Sequence, residues 1–364
     1  MNLVDALAAG VGPRTAGSEA AAEAAETVAA AFRELGLEPR FQEFNLVGYE
    51  ADEPELEVEG ERWAVGPCMY AHSFAGEGVV RRIGESAAPV GGGTLPSFAV
   101  FDEAGRDVAR LLTSPFGKGA IPFMSSHTQI TTPPTAFLSI ADSKRLQDGM
   151  RVRVKIGGRF LPGRSERNVI ADIPGQGDDH VIVSAHYDSV WRGPGAIDNA
   201  SGVEGARRIA ERFAGRTLDV GIRFVAFAAE EIKLTGSRLY VDEAKVHGEL
   251  AQIVGVVNLD CIAYGTHLNV LASPEPLVDR AVETARALGL LEKYELITGP
   301  ATGGVDTHWF AEAGIPAVTL LHFPYEEYHL TDDTPGLADE ALLDDTVELA
   351  SALVESQLAH PIAR

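Results

Sequence analysis

The hydrophobic and polar positions change character twice along the chain and divide it into three stretches. In residues 20–37 apolar side chains recur at helical spacing and predict an amphipathic helix that begins after Ser18 and stops at Gly36. Residues 46–163 are rich in Gly, Pro and Thr and carry short alternating runs such as LEVEGERWAVG and RVRVKIGGRF. This middle stretch is predicted to be a small, mostly β insertion. Within it, we expect FDEAGRDVARLLTSPFGKGAIPFM to hold one helix followed by a buried apolar run.

After Arg167 short apolar runs alternate with helical stretches. The apolar runs, which are typical of strands buried on both faces, are NVIADIPG, HVIVSAH, IRFVAFAAE, IVGVVNLD and IPAVTLL. The helical stretches are SGVEGARRIAERFA, GSRLYVDEAKVHGEL, PLVDRAVETARALGL and DEALLDDTVELASALVESQL. This alternation predicts a mostly parallel, doubly wound α/β sheet flanked by helices. Residues 1–45 and 164–364 would form this domain, with residues 46–163 inserted into it.

Composition excludes several classes of function. The 364 residues include 53 acidic and 30 basic side chains, and the resulting net charge of −23 argues against nucleic-acid binding. No window approaches the roughly 18 apolar residues of a membrane span, and the N-terminus does not have the pattern of a signal peptide. We therefore expect a cytoplasmic protein that does not bind membranes, with secretion after removal of a leader as the alternative. Cys68 and Cys261 alone cannot form a disulfide framework.

Side chains that carry chemistry collect where the predicted strands end. HVIVSAHYD, IRFVAFAAEE and VGVVNLD each end in histidine or carboxylate residues, GAIDNASG places an aspartate before a helix, and EYHLTDDT follows the last strand. The set comprises His186, Asp188, Asp198, Glu230, Glu231, Asp260 and His329. Ligands of open α/β sheets bind beyond the carboxyl ends of the strands, so these side chains are predicted to meet at one rim.

Such a cluster of like charges requires cations. Two bare carboxylates about 4 Å apart repel each other by roughly 4 kcal/mol at an effective dielectric constant near 20. Carboxylate and imidazole ligands suit Zn²⁺, with Mn²⁺ or Co²⁺ as possible substitutes. Because no cysteine belongs to the set, we expect a catalytic zinc site rather than a structural one.

The spacing within each segment suggests distinct functions. His186 and Asp188 face the same side of a strand, so Asp188 can orient the imidazole. The adjacent Glu230 and Glu231 point in different directions, so one can bind metal while the other acts as general base. Asp198 could bridge two metals through its two oxygens. Two metals about 3.5–4 Å apart that share a hydroxide and polarise a carbonyl are the arrangement of aminopeptidases.

In this order, HYD, GAIDNASG, AFAAEE, NLD and YHLTDDT resemble the five signature segments of peptidase family M28, the co-catalytic dizinc exopeptidases. The resemblance covers residues 165–335 and includes the N-terminal segment RTAGSEA. It implies a zinc-dependent exopeptidase, in the first place an aminopeptidase that removes N-terminal residues from peptides. The resemblance also implies two Zn²⁺ per chain.

The resemblance assigns metal ligands to particular residues of this chain. It implies that His186 and Asp260 hold one zinc and that Glu231 and His329 hold the other. Asp198 would bridge the two ions.

The resemblance also assigns catalytic residues. Glu230 would take the proton from the attacking water and pass it to the leaving amine. Asp188 is counted with the catalytic residues because of its spacing from His186, whose imidazole it can orient. Tyr328 matches a tyrosine that stabilises the tetrahedral oxyanion in some members of the family.

Three positions depart from the pattern of the family. Ile197 stands where many members have a second aspartate, and Ala229 stands where the glutamate pair is usually preceded by glycine. The usual Ser-Asp-His segment is Val305-Asp306-Thr307, with His308 displaced by one position. The last departure concerns the substrate pocket rather than the metal ligands.

Other segments are interpreted more plainly. GKGAIPFM together with TPPTAFLSIADSKRLQDGMRVRVKI resembles a protease-associated domain, which several members of the family carry as an insert. Asp332, Asp333 and the run DEALLDD are expected to be helix-start acids on a solvated face. Cys261 is expected to be a small buried side chain and not a nucleophile.

Alternative functions remain on the same site. A carboxypeptidase or dipeptidase would use the same ligands, and an acyltransferase similar to glutaminyl cyclase would use one zinc. A non-catalytic binding module similar to the transferrin receptor would have lost its ligands, whereas all five are present here. A homodimer is possible.

Overall fold

The computed structural model describes residues 2–87, 94–115, 119–123, 133–301 and 303–363. The chain divides into two compact units. The first unit comprises Met1–Leu46, Ser165–Tyr325 and Asp333–Arg364, and the second comprises Val47–Arg164 and Glu326–Asp332. Residues 117, 118, 124 and 132 of the segments that resemble a protease-associated domain lie outside the described residues, and that assignment stays a prediction. None of the described helices combines the length and apolar character needed to cross a bilayer.

The regular elements are numbered in chain order. The strands are β1 (Arg40–Ala51), β2 (Glu55–Val58), β3 (Glu61–Trp63), β4 (Gly66–Pro67), β5 (Phe74–Ala87), β6 (Thr94–Phe101), β7 (Asp107–Thr113), β8 (Thr135–Leu138), β9 (Arg151–Ile156), β10 (Gly158–Ile173), β11 (His180–His186), β12 (Gly221–Phe227), β13 (Ile253–Leu259), β14 (His267–Ser273), β15 (Glu295–Gly299) and β16 (Ala317–His322). The α-helices are α1 (Leu3–Asp5), α2 (Glu19–Glu34), α3 (Ile140–Arg145), α4 (Ser201–Phe213), α5 (Thr235–His247), α6 (Glu275–Ala287), α7 (Thr307–Glu312) and α8 (Glu340–Ala359). Single turns of 3₁₀- or π-helix cover Ala6–Val11, Ala196–Ala200, Glu249–Gln252, Leu290–Glu292 and Pro335–Leu337.

The larger sheet has the strand order β1-β10-β12-β11-β13-β16-β14-β15. Its centre is parallel, because β11 runs parallel to β12 and β13, and β13 runs parallel to β16. The register pairs His186 with Phe227 and Ser184 with Asn258. The carboxyl ends of β11, β12 and β13 therefore lie at the same edge. The predicted mixed α/β fold with a mostly parallel sheet and flanking helices is confirmed.

The flanking helices begin and end at the signals that the sequence carries. The Ser18 hydroxyl accepts a hydrogen bond from the Ala21 N–H at 3.0 Å at the start of α2, and Gly36 adopts a φ of +78° just after its end. At the start of α8, the carboxylate of Asp339 accepts hydrogen bonds from two main-chain N–H groups. Helix α4 contacts both β11 and α8, and Ile209 is one of its buried residues.

Two strands of this sheet carry too weak a pattern for sequence-based prediction. In β14 buried positions alternate with half-buried ones, and the half-buried positions include His267 and Asn269. Strand β14 pairs antiparallel with β16 and parallel with β15, which is five residues long. Polar side chains and short length remove the continuous apolar run that marks the central strands.

The second unit contains a sheet of order β3-β2-β9-β5-β6-β7-β8-β4. Its core is apolar, and Leu56, Val80, Phe98, Leu111 and Val154 are buried in it. Alternation of buried and exposed residues in β9, from Arg151 to Ile156, follows the pattern that predicts strands there.

The helix expected in FDEAGRDVARLLT is wrong. The Asp102 carboxylate accepts hydrogen bonds from the N–H groups of Ala104 and Arg106 and forms a tight turn. Strand β7 follows, pairs with β6 and β8, and buries every second residue from Ala109. Over seven residues, the apolar positions of DVARLLT fit the two-residue repeat of a strand as well as the repeat of a helix. Hydrogen bonding of β7 to both β6 and β8 selects the strand.

Candidate metal centre

His186 is the last residue of β11, and its imidazole is 1% exposed. Its Nδ1 lies 3.2 Å from the main-chain oxygen of Asp188, so the ring proton belongs on Nδ1. Its Nε2 lies 3.1 Å from Oδ1 of Asp198 and 3.6 Å from Oδ1 of Asp260. The Nε2 lone pair thus faces two carboxylate oxygens. Three acceptors that face one another require a proton or a metal ion between them.

The charges around His186 have the same sign. Burial lowers the pKa of the His186 imidazole, but surrounding carboxylates overcome this effect and raise the pKa well above its usual value. These carboxylates belong to Glu230, Asp188, Asp198 and Asp260. Such a site attracts a cation strongly.

Asp188 holds the two glutamates that follow β12. Its fully buried carboxylate accepts the N–H of Glu230 at 3.0 Å and the N–H of Glu231 at 3.3 Å. The preceding residue, Ala229, has a φ of +56°, in the left-handed region that favours glycine. This conformation explains why glycine is the usual residue at that position. The Oδ1 atom of Asp188 also lies 3.6 Å from Nδ1 of His186.

Glu230 is half-buried among like charges. Burial raises the pKa of the Glu230 carboxyl, and although His186 acts to lower it, the neighbouring carboxylates keep it well above its usual value. One of these neighbours is Asp306, which is itself 1% exposed. Burial and the carboxylates of Asp260 and Asp188 raise the pKa of Asp306 to about 7.

The loop before α4 is held against the end of β13 by Asn199. Its Oδ1 accepts the N–H groups of Gly202 and Cys261, and its Nδ2 donates to the Leu259 oxygen at 2.9 Å. A Cβ on Gly202 would lie 2.3 Å from Asn199 Oδ1, so the approach requires glycine. The motif DNASG therefore joins the loop of Asp198 to the residues around Asp260.

Asp260 directly follows β13. The Cys261 thiol donates to its Oδ1 at 3.3 Å, and the Asp260 N–H donates to the Leu320 oxygen at 3.1 Å. Burial and the carboxylates of Asp198 and Asp260 raise the pKa of the Cys261 thiol well above its usual value. A thiol in this state is a poor nucleophile, in agreement with the expectation from the sequence.

The first unit brings five of the predicted side chains together at the ends of its parallel strands. The ligand atoms of His186, Glu230 and Asp260 lie within 4.8 Å of one another, and carboxylate oxygens of Asp198 and Glu231 are equally close to each other. Imidazole nitrogen and carboxylate oxygen at this spacing, with acceptors facing acceptors, form a donor set that fits Zn²⁺.

Tyr328 and His329 belong to the segment Glu326–Asp332 of the second unit. The Nδ1 of His329 lies 3.1 Å from the Pro122 oxygen, and its ring stacks on Tyr328 with centroids 3.9 Å apart. A proton on Nδ1 leaves Nε2 as an acceptor, which is the form of imidazole that binds metals. The functions of both residues stay predictions.

Asp333 contradicts the expectation of a solvated acid. It is 2% exposed, and its two oxygens accept the N–H groups of Ile197 at 2.8 Å and Asp198 at 3.1 Å. Burial and the nearby Asp198 carboxylate raise the pKa of Asp333 to about 7. Sequence spacing alone gave no sign of this contact, because the partners are separated by more than 130 residues.

Arg14 was not assigned a function from the sequence, although it lies in the segment RTAGSEA. Its side chain is fully buried, and burial lowers the pKa of its guanidinium to about 10. It donates hydrogen bonds to main-chain oxygens of Tyr187, Pro194 and Gly195, which lie between His186 and Asp198 in the chain.

Comparison with known proteins places the chain in a family. Peptidase family M28 matches residues 168–354, just over half of the chain. Aminopeptidase YwaD of Bacillus subtilis (strain 168) is 25% identical over 390 residues, which cover 96% of this chain and 82% of that protein. Leucine aminopeptidase 2 of Trichophyton equinum is 36% identical over 137 residues, 35% of this chain and 27% of its own length.

Among solved structures, the fold is similar to that of BSAP, a zinc aminopeptidase from Bacillus subtilis. The two share a TM-score of 0.75 and 21% identity over 100% of this chain and 95% of the other. At this identity the similarity establishes the fold. Together with the family match, it confirms the resemblance drawn from the five sequence segments: the chain belongs to peptidase family M28.

Proposed function

We propose that this protein is a zinc-dependent aminopeptidase that hydrolyses the N-terminal residue of peptides. The observation that carries the proposal is the acceptor-only environment of His186 Nε2, which faces Asp198 and Asp260 at the carboxyl ends of parallel strands. Membership of peptidase family M28 supports the reaction class, as does the relative that matches 96% of this chain and is named as an aminopeptidase.

The proposed site holds two Zn²⁺. His186 and Asp260 would bind one ion, Glu231 and His329 would bind the other, and Asp198 would contact both. When bound in such a site, zinc lowers the pKa of water and polarises a carbonyl group. The short distance between Asp198 and Glu231 oxygens supports ligands for a second ion.

Glu230 is the proposed general base. A raised pKa makes the Glu230 carboxylate a stronger base, which helps it to accept a proton from water and return it to the leaving amine. Asp188 fixes the main chain of Glu230 and so holds the carboxylate toward His186 and Asp260. Tyr328 is proposed to stabilise the developing oxyanion.

The relatives favour a substrate with a free amine over one with a free carboxylate. Aminopeptidase YwaD matches 96% of this chain, and both it and leucine aminopeptidase 2 are named as aminopeptidases. The charge of the ligand set does not choose between the two substrate classes, because two bound Zn²⁺ would offset its carboxylates.

A panel of matched substrates tests the proposal. Leucyl-anilide, its N-acetylated form and an N-blocked dipeptide with a free carboxylate are offered to the zinc-loaded protein, before and after treatment with a chelator. We expect hydrolysis of the free-amine compound alone, loss of this activity with the chelator, and recovery on addition of Zn²⁺. Cleavage of the N-blocked dipeptide instead would identify a carboxypeptidase, and chelator-resistant cleavage would contradict a zinc mechanism.

A further inference from the structure

Arg14 is a fully buried arginine whose side chain binds main-chain oxygens instead of a carboxylate. Among the described residues, Nε donates to Tyr187, Nη1 donates to Pro194 and, at 3.3 Å, to Gly12, and Nη2 donates to Gly195 at 2.7 Å. Buried arginines are rare and are usually paired with an acid. We therefore infer that the guanidinium stabilises the conformation of the main chain it contacts.

The oxygens that Arg14 binds belong to both ends of one loop. Tyr187 directly follows His186, and Gly195 lies three residues before Asp198. A guanidinium is a rigid planar fork with fixed directions for its donors. By binding both ends of the loop, it fixes the distance between the segments that carry His186 and Asp198.

The main chain of Arg14 strengthens this connection. Its N–H donates to the Ser189 hydroxyl at 3.1 Å, and its oxygen accepts the Ser189 N–H at 3.4 Å. The Ser189 hydroxyl donates in turn to the Gly193 oxygen at 2.8 Å. The middle of the loop is thus bonded to the same residue as its ends.

Glu166 connects the segment after Arg14 to Tyr187 by a second set of hydrogen bonds. Its carboxylate accepts the Gly17 N–H at 2.6 Å and the Tyr187 hydroxyl at 2.9 Å. Tyr187 is therefore fixed by its carbonyl to Arg14 and by its hydroxyl to Glu166. Residues 14–17 act as a brace on the chain that immediately follows His186.

From these contacts we propose that Arg14 is a positioning residue that sets the separation of His186 and Asp198 before metal binds. The inference rests on the proposed metal site. Electrostatics alone would predict the opposite effect of Arg14, because a buried cation near Asp198 and Glu231 repels Zn²⁺. The two effects differ in sign, so they can be separated by experiment.

The test is zinc affinity, measured by competition with a fluorescent chelator on metal-free protein. Arg14→Lys keeps the charge but cannot bind both ends of the loop at once, and Arg14→Met removes the charge as well. Loss of the support behind metal ligands typically weakens metal binding about 10- to 100-fold, and we expect weakening in this range for both variants. Near-UV circular dichroism verifies that each variant is folded at the temperature of the titration.

The matched control is Arg223→Lys. Arg223 is a partly buried arginine of β12 that pairs with Asp172 and contacts the Tyr240 hydroxyl. The zinc affinity of the Arg223→Lys variant should equal that of the wild type, even if the unfolding temperature of the variant falls. A purely structural contribution of Arg14 would likewise lower the unfolding temperature and leave the zinc affinity of the folded protein unchanged.

Ser189→Ala gives an independent and milder test if the Arg14 variants do not fold. It removes the bonds to the Arg14 N–H and to Gly193, and we expect a several-fold loss of zinc affinity. Unchanged affinity in a folded Arg14→Lys or in Ser189→Ala, or tighter binding in Arg14→Met, would overturn the inference. A wild-type protein that binds no zinc would instead refute the proposed metal site.

Discussion

At the scale of single residues, the chemistry follows from where lone pairs point. The Nδ1 proton of His186 is directed to a main-chain oxygen, so Nε2 faces carboxylates as an acceptor. Asp188 accepts the main-chain N–H groups of Glu230 and Glu231 and so fixes the main chain from which the two side chains project. These contacts give adjacent carboxylates different environments.

Glu230→Gln tests the general base. The variant should retain zinc, because all five proposed ligands and the hydrogen bond from its main-chain N–H to Asp188 remain. Its kcat/KM should fall about 10²- to 10⁴-fold, since a neutral amide cannot accept a proton. Activity assays and metal analysis on the same sample measure both quantities. Glu283→Gln, at an exposed position of α6, should leave both unchanged. Near-normal turnover in Glu230→Gln would exclude this glutamate as the base.

At the scale of elements, the site depends on how loops are joined to strand ends. Asn199 connects the loop before α4 to the end of β13 through three hydrogen bonds. Asp333 holds the main chain of Ile197 and Asp198 from the other side. The loop that carries Asp198 is therefore fixed from both directions.

Gly202→Ala tests this packing. Its Cβ would lie 2.3 Å from Asn199 Oδ1 and 2.4 Å from the Leu259 oxygen, and main chain cannot move away cheaply. We expect a loss of unfolding free energy of about 1–3 kcal/mol, as found for overpacked cores. Urea denaturation measures it.

Gly10→Ala is the control for the same substitution elsewhere in the first unit. A Cβ there would meet its nearest neighbour, the Asp5 oxygen, at 3.7 Å, an ordinary contact. Its stability should stay close to that of the wild type. Equal stability of Gly202→Ala and Gly10→Ala would contradict the close approach at Gly202.

The strand ends were predictable from the sequence, but the hydrogen bonds of Arg14 and Asp333 to the loop before α4 were not. Continuous apolar runs that end in His186, Glu230 and Asp260 carry their own signal, because both the strand and its last residue are local. Arg14 and Asp333 act on residues far away in the chain, and no local pattern encodes such contacts. The error in DVARLLT has a different cause, since pairing on both sides overrides a weak helical pattern.

At the scale of the whole molecule, the concentration of acids makes the metal-free protein sensitive to pH. The pKa values of Asp306 and Asp333 are raised to about 7, mainly by burial. The folded state therefore binds protons that the unfolded state has already lost near pH 4. A raised pKa stabilises the folded protein at low pH, and this stabilisation is lost as pH rises through 7.

We therefore predict that these two groups lower the stability of the metal-free protein as pH rises from about 4.5 to 7, by about 1 kcal/mol per pH unit for each group, with little further change above pH 8. The lowered pKa of His322, about 4, acts in the opposite sense up to about pH 6.5 and offsets one of the two groups there. Zinc binds the deprotonated form of its ligands, and the pKa of the proposed ligand His186 is itself raised, so the stabilisation by zinc should grow as pH rises over the same range. Urea unfolding with chelator and with Zn²⁺ at each pH measures the difference. A difference independent of pH would contradict the assigned protonation states.

The most direct test of the central claim is the zinc content of the purified chain after dialysis, measured for the wild type and for Asp198→Ala. If separated segments of the chain converge to hold two ions with Asp198 between them, the wild type should contain two Zn²⁺ per chain and the variant clearly fewer. A wild type without bound zinc, or a folded variant with the same zinc content as the wild type, would contradict it.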